Sequence, residues 1–348
     1  MTDSLLDLDR QQLADALAGH PKYRLDQLWE GVYRQFKPVQ EIKNLPAALR
    51  DEVAARFPDA LTEASRALSD DGNTVKFLWH LTDGGHPIET VLMYYAERAT
   101  VCVSTQAGCA MACGFCATGQ AGFTRHLTTG EIVEQVVRAA REAGRLGQRI
   151  DNIVFMGMGE PLANEENVRA AVERIHGDIG ISARHLTVST VGIIPGIKKL
   201  ADWPLPVNLA VSMHAARNSL RDELVPVNKR YPIEELMNAC RDYLTVKNRR
   251  ITFEWALIDG VNDTDRDAEE LADLARSMHP SAHINLIPLN PTPGWPTKGS
   301  PKRRVYAFRD LLEKLGANAT VRNNRGTEIA AACGQLAAGQ PVRIGREK

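Results

Sequence analysis

Between residue 100 and the C-terminus, short β-like runs and helix-like runs alternate, and no other feature of the 348-residue chain restricts its fold as strongly. The strand-like runs cover 100–104, 152–156, 185–190, 207–212, 251–258 and 283–289. The helix-like runs lie near 129–143, 164–176, 232–247, 264–278 and 302–315. Strands separated by helices of this length run parallel, because the crossover returns the chain to the same end of the sheet. That leaves an α/β barrel or an open doubly wound sheet, with chemistry expected at the carboxyl ends of the strands. Ahead of this region, residues 1–68 read as helical: Leu25, Leu28, Trp29, Val32, Tyr33 and Phe36 form one apolar stripe at helical spacing. Runs at 74–80, 88–95 and 99–104 are rich in Val, Thr and aromatic residues, and Asp83-Gly84-Gly85 suits a hairpin turn between the first two. The stretch 288–301, rich in Pro and Gly, reads as a loop of the kind that serves as a lid or binding surface.

Charge is nearly balanced, with 42 basic against 43 acidic residues, and the 24% charged and 44% hydrophobic fractions exclude a disordered or supercharged chain. The opening residues are acidic and no apolar run reaches about 18 residues, so a secretory signal and a membrane span are not expected and the reading is cytoplasmic. The balance hides an asymmetry. From residue 296 onward eleven basic residues stand against four acidic ones, which makes this segment +7 and the remainder −8. Such an end can neutralise nucleic-acid phosphates, and it can equally be a solvated helix face.

Six cysteines occur, at 102, 109, 113, 116, 240 and 333. In a reducing compartment clustered cysteines are metal-binding or catalytic rather than paired. Cys109-Ala-Met-Ala-Cys113-Gly-Phe-Cys116 directly follows the first strand of the alternating region. Three cysteines in this C-x3-C-x2-C spacing can hold three irons of a 4Fe–4S cluster and leave the fourth open to another ligand. The alternative is structural zinc, which takes four ligands, commonly in two pairs, and no second pair is near. Gly157-Met158-Gly159-Glu160-Pro161 follows the next strand. It is not a dinucleotide fingerprint, since Leu162 fills the third glycine position and Glu160 would repel a pyrophosphate; a carboxylate there suits a cation. Ser189, the Ser212-Met213-His214 triplet and Asn290 each end a strand-like run, where a turn, a cap or simple packing would ordinarily account for them. Cys102, Cys240 and Cys333 read in isolation as small buried residues, Cys333 within a helix-like, Ala-rich run over 328–337.

The cysteine motif, with Phe115 before its last cysteine, resembles that of the radical S-adenosylmethionine (SAM) superfamily. The segments 157–164, Ser189-Thr190-Val191-Gly192, 209–214, 285–291 and 331–336 narrow the resemblance to the RlmN/Cfr family of RNA adenine methyltransferases, over about residues 20 to 340. The fold this implies is α/β: a radical SAM partial (β/α)6 barrel with a small helical N-terminal domain. Its segments would be 1–70 (helical, contacting RNA), 71–98 (a β-rich connection), 99–340 (the barrel with the Cys333 segment) and 341–348 (a tail). The resemblance further implies a 4Fe–4S cluster on Cys109, Cys113 and Cys116, and SAM bound by Gly159, Glu160, Ser189, Ser212, Met213, His214 and Asn290. Cys333 would become an S-methylcysteine, Glu89 would accept a proton, and Cys102 would resolve a covalent RNA–protein intermediate by forming a disulfide with Cys333. Arg325, close in sequence, would supply the positive charge that lowers the Cys333 thiol pKa.

The implied substrates are an adenosine at the peptidyl-transferase centre of 23S rRNA and the adenosine 3′ of the anticodon in tRNA. Two SAM would be consumed per turnover, with an electron donor such as flavodoxin and its reductase, by a monomer without a membrane partner. The segment 116–123 and Asn323-Asn324-Arg325-Gly326 look more like the C2-methylating branch than the C8-methylating one. The competing readings are a C8 methyltransferase and another radical SAM enzyme such as a glycyl-radical activase, which needs no Cys102 with Cys333. A non-catalytic iron–sulfur or zinc RNA-binding module is the third.

Overall fold

The structure, a computed structural model, describes residues 4–247, 249–292 and 294–337. The tail expected over 341–348, with its Arg343, Arg346 and Lys348, lies outside the described residues. Three helices come first: α1 (Arg10–Ala16), α2 (Tyr23–Tyr33) and α3 (Ala47–Arg56). The apolar stripe is the inner face of α2, where Leu28, Trp29, Val32 and Tyr33 are buried. The helical region ends at Arg56, and the following run, expected to be helical, is strand β1 (Leu61–Leu68), antiparallel to β2 (Thr74–Leu81). Nearly all β1 side chains are exposed, so the run lacks the apolar alternation of a half-buried strand and is defined by its partner. The hairpin turn forms as expected, with Gly84 and Gly85 at φ 79° and 101°. It leads into β3 (Ile88–Tyr94), and β4 (Ala99–Cys102) pairs antiparallel with β3.

A two-stranded ribbon of β5 (Gln106–Gly108) and β6 (Phe123–His126) then brackets the cysteine loop and the short helix α4 (Ala117–Ala121). The alternation follows as α5 (Thr129–Arg145), β7 (Ile150–Phe155), α6 (Glu165–Arg174), β8 (Leu186–Thr190), α7 (Ile194–Asp202), β9 (Asn208–Ser212), α8 (Asn218–Leu224), α9 (Ile233–Lys247), β10 (Thr252–Leu257), α10 (Asp265–Arg276), β11 (His283–Pro288), α11 (Lys302–Lys314) and β12 (Asn318–Val321). Helix α5 starts where Thr128 and Glu131 cap each other's backbone N–H groups.

The ten-stranded sheet runs β1-β2-β3-β4-β7-β8-β9-β10-β11-β12, with every pair from β4 to β12 parallel. It is mixed: the parallel strands expected from the alternation carry an antiparallel edge at β1–β3 and an extra parallel strand, β12. The order is linear, with β1 and β12 at its edges, which is a partial rather than a closed barrel. Register sets Ser212, Glu254 and Asn285 side by side across β9, β10 and β11. The Ala-rich run over 328–337 is not helical. Ala330 and Gly334 take positive φ (51° and 81°), and turns replace the helix. Among the described residues no helix is long and apolar enough to cross a membrane.

Candidate active site at the carboxyl ends of the strands

A cavity of about 160 Å³ opens where the parallel strands end. Its wall takes Met156 and Gly157 after β7, Ser189 and Thr190 from β8, Ser212 and His214 at the end of β9, Glu254 and Ala256 from β10, and Ile287 and Leu289 from and after β11. Cys109, Cys113 and Cys116 line the same cavity, and so does Cys333. The parallel topology thus gathers residues scattered over 225 positions, Cys109 to Cys333, at one mouth.

The cysteine loop is folded tightly. Cys116 N–H donates to Cys113 O (3.1 Å), Cys109 N–H donates to Gly122 O (2.8 Å), and α4 begins immediately after Cys116. Gly114 leaves room for Trp295, whose ring lies 2.0 Å from where a Cβ would stand, so the 288–301 loop covers the cysteine loop. Burial pushes the Cys113 thiol well above its ordinary range and Cys109 up to about 12. As free thiols they would be neutral, and coordination to a metal is what deprotonates such groups. Among the described residues no three His, Cys, Asp or Glu side chains converge on one metal ion. A 4Fe–4S core binds each thiolate through a different iron, so its ligands stand apart, and three sulfurs around one cavity fit it.

Glu160 is buried, and both its carboxylate oxygens accept backbone N–H groups, Oε2 from Val191 (2.9 Å) and Oε1 from Leu162 (3.0 Å). Its own N–H donates to Gln106 Oε1 (2.8 Å). Gly159 turns the chain into this position at φ 102°, where a Cβ would stand 2.5 Å from Gln106. Burial raises the Glu160 pKa to about 7 despite these bonds. A carboxylate this desolvated is stabilised by a cationic partner, and an α-ammonium group fits. His214 is also buried. Desolvation, then the Arg221 charge, holds its pKa down at about 3, so it is neutral. Its Nδ1 accepts from Ala256 N–H (2.9 Å), which leaves the proton on Nε2 as a donor. The residue sits in the left-handed region, φ 56°, with Phe115 edge-on at 4.9 Å. Such strain in a non-glycine residue marks a position held by its surroundings.

The remaining residues singled out by sequence fall behind the wall or over it. Met213 is fully buried in the main apolar core and is not among the residues lining the cavity. Asn290 Nδ2 donates to Cys333 O (3.1 Å) and its Oδ1 accepts from Asn324 (2.7 Å), so it grips the segment carrying Cys333. That segment is strapped down elsewhere: Ala117 N–H donates to Gly334 O (2.8 Å) and Thr118 Oγ1 to Leu336 O (2.6 Å). Glu89, on β3, is buried beneath the strap. It pairs with Lys76 (2.8 Å) and accepts from Ala337 N–H (3.0 Å). Cys102 ends β4; burial, then the neighbouring Cys333, pushes its thiol up to about 12. Both thiols are free in this structure; the implied Cys102–Cys333 disulfide is a step of turnover. Arg325 does not serve Cys333. It donates to Tyr94 O (2.9 Å) and lies 4.2 Å from the Tyr95 ring, whereas the cation acting on Cys333 is Arg322. Cys333 is exposed as a residue, yet desolvation at the cavity still raises its thiol, against the lowering expected.

Three polar residues escaped the sequence reading. Glu254 is buried on β10, bonded by Asn285 Nδ2 (2.9 Å) and by Arg322 Nη1 (3.4 Å), and both Glu254 and Arg322 line the cavity. A lone carboxylate inside the apolar run 251–258 was the available signal. Arg322 follows β12, whose four residues alternate but are too few to stand out. Arg221 lies fully buried on α8.

Residues 103–275 match the radical SAM superfamily. Proteins named probable dual-specificity RNA methyltransferase RlmN are similar along almost the whole chain. The one from Mycobacterium marinum is 50% identical and the one from Mycobacterium tuberculosis H37Rv 51% identical, each over 345 residues covering 96% of this chain and 94% of the relative. A crystal structure of a radical SAM methyltransferase from Sphaerobacter thermophilus superposes with a TM-score of 0.93 at 49% identity, covering 97% of this chain and 99% of the other.

Proposed function

The chain belongs to the RlmN family of radical SAM RNA methyltransferases, and from that premise we propose that it methylates C2 of adenosine in 23S rRNA and in tRNA through a covalent link to Cys333. Adenine C2 lies between two ring nitrogens and is electron-poor, so it does not attack a methyl donor directly. Covalent catalysis divides the task. When bound, the cluster on Cys109, Cys113 and Cys116 supplies the electron that cleaves SAM to a radical able to take hydrogen from a methyl group. Glu160 orients SAM through its ammonium group, and Nε2–H of neutral His214 offers a further donor at the cavity. Cys333 Sγ accepts a methyl group and presents it in the cavity, and its carbon becomes bonded to C2. The adduct restores its aromatic ring by losing one electron, returned to the redox centre that supplied the first, and the C2 proton, which passes to Glu89. Cys102 Sγ, as the thiolate, then attacks Cys333 Sγ; the S–C bond breaks with its electron pair on the carbon, which takes a proton to become the methyl group of the released base, and a disulfide remains. An adenine inside a helix cannot reach the cavity, so the base is extruded on binding.

The observation that carries this reading is that Cys333 and the three-cysteine loop line one cavity, with Cys102 at the end of an adjacent strand. Anaerobic reaction with SAM, reductant and each RNA, followed by mass spectrometry of the nucleosides, should give 2-methyladenosine. Recovery of 8-methyladenosine would assign the C8 activity instead. In the same assay Cys102→Ala should accumulate RNA attached to Cys333, and Cys333→Ala should form no adduct; normal product release by Cys102→Ala would overturn the resolving role.

A further inference from the structure

Arg221 is 0% exposed, yet among the described residues no carboxylate forms an ion pair with it. Its guanidinium donates from Nε to Met213 O (3.1 Å), from Nη1 to Asn228 Oδ1 (2.8 Å), and from Nη2 to Val191 O (2.7 Å) and Ser212 O (3.1 Å). All four acceptors are neutral. The fork is satisfied as a hydrogen-bond donor but forms no ion pair. A carboxylate, Asp222, reaches it only through Asn228, whose Nδ2 donates to Asp222 Oδ1 (2.6 Å), so the buried charge is compensated only at one remove. Burying a charge without a direct counter-ion is costly. Its place in the fold shows where an anion would lie. Val191 and Ser212 are cavity residues, and Met213 precedes His214, so the fork ties the ends of β8 and β9 at the cavity wall. Cys113 packs in one apolar patch with Leu224 and Val225 at the end of α8, the helix that carries Arg221. The Arg221 charge lowers the Cys113 thiol pKa, against the burial that raises it.

We infer that Arg221 is a positioning residue for the cluster's redox step, its buried charge being the counter-charge of the anionic iron–sulfur core held by Cys109, Cys113 and Cys116. An oxidised 4Fe–4S core with three thiolates is already negative, and the electron it accepts makes it more so. A fixed cation nearby stabilises the reduced form and raises the potential. The same fork keeps the β8 and β9 ends in place, so one side chain couples the shape of the cavity to the electron affinity of the cluster. This inference rests on the proposed cluster assignment, and iron and sulfide analysis checks that assignment separately.

The test is an EPR-monitored redox titration of anaerobically reconstituted wild-type protein, Arg221→Met, Arg221→Lys and the double variant Asn228→Asp/Asp222→Asn. Arg221→Met removes the charge, and Arg221→Lys keeps it without the fork. Asn228→Asp, made together with Asp222→Asn so that two touching carboxylates do not share a proton, keeps the fork and sets one carboxylate directly against it. Expected for Arg221→Met and the double variant is a shift of the one-electron equilibrium toward the oxidised cluster by tenfold or more, about 59 mV more negative. Arg221→Lys should stay within that span of wild type. Should Arg221→Met fail to hold a cluster, the double variant decides. A wild-type potential in the double variant at full iron and sulfide content overturns the inference, and so do Lys and Met variants that shift alike, since only a strut then remains. Wild-type protein that binds no cluster overturns the proposed function and this inference together.

Discussion

At the scale of single residues, the site is built from groups whose burial sets their charge. Glu160 shows the consequence for pH. Its carboxyl titrates near 4.5 when solvated and at about 7 in the fold, because desolvation outweighs the two backbone bonds. Between those values the folded SAM-free protein holds a proton that the unfolded chain has lost, so stability falls as pH rises from about 4.5 to 7 and levels off above. A bound ammonium group reverses the preference, because it needs the carboxylate. SAM affinity should therefore rise with pH up to about 7, by as much as tenfold per unit for one linked proton. The window for equilibrium dialysis is about pH 5.5 to 7, below the range near 7.7–8.0 where an α-amino group loses its own proton. Glu160→Gln should bind SAM about 10- to 100-fold more weakly, the worth of a charge-assisted bond, and should lose the slope. A flat profile for the wild type would remove Glu160 from the ammonium site.

At the scale of elements, the cysteine loop and the loop over it form one unit. Gly114 has no side chain because the Trp295 ring occupies its place, so Gly114→Ala must displace either the indole or the loop that positions three thiols. Iron and sulfide incorporation should fall in Gly114→Ala and recover in Gly114→Ala/Trp295→Ala, where the obstructing ring is gone; a single variant that loads normally would show the contact to be slack. Sequence patterning made the long amphipathic elements legible. Helix α5 has a reciprocal cap and a broad buried face; β9 reads as a short apolar run buried at its centre, and β8 as an alternation of buried and half-buried residues. What it missed had a local pattern opposed to its final state. Exposed β1 carries Glu63 and Arg66 and exists through pairing with β2, while α7 opens with Ile194-Pro195-Gly196, poor helix formers that its first turn tolerates. Over 328–337, alanines suggested a helix that the left-handed turns at Ala330 and Gly334 forbid. Within the site, cysteines and strand-end residues were legible because spacing displays them. Arg221, Arg322 and Glu254 were not, since a charged residue acquires meaning only from the wall it faces.

At the scale of the whole molecule, the N-terminal helices share their apolar interior with the sheet. One continuous apolar cluster includes Leu13, Leu28 and Val53 of α1–α3 together with the interior of the sheet and Leu336 beside Cys333. Polar links reinforce it at the turn after α6. Trp29 Nε1 donates to Asp178 Oδ1 (3.0 Å), and Arg34 donates to Gly177 O (3.1 Å) and Ile179 O (3.2 Å). Arg174 Nη1, from the end of α6, reaches Leu6 O (2.7 Å), Leu8 O (2.8 Å) and Tyr33 Oη (3.2 Å). This turn leads from α6 to the amino end of β8, the end of the sheet away from the cavity. A change here should therefore move stability and leave the cavity chemistry alone. Arg174→Ala strands three acceptors at a half-buried junction and should lower the unfolding free energy by about 2 kcal/mol. Because the core is shared, helix loss by circular dichroism and tryptophan exposure by fluorescence should still follow one transition. SAM affinity of the folded protein should be unchanged. Two separated transitions in the wild type, with the N-terminal helices melting first and SAM binding retained, would show that the helices fold as a unit of their own despite the shared core.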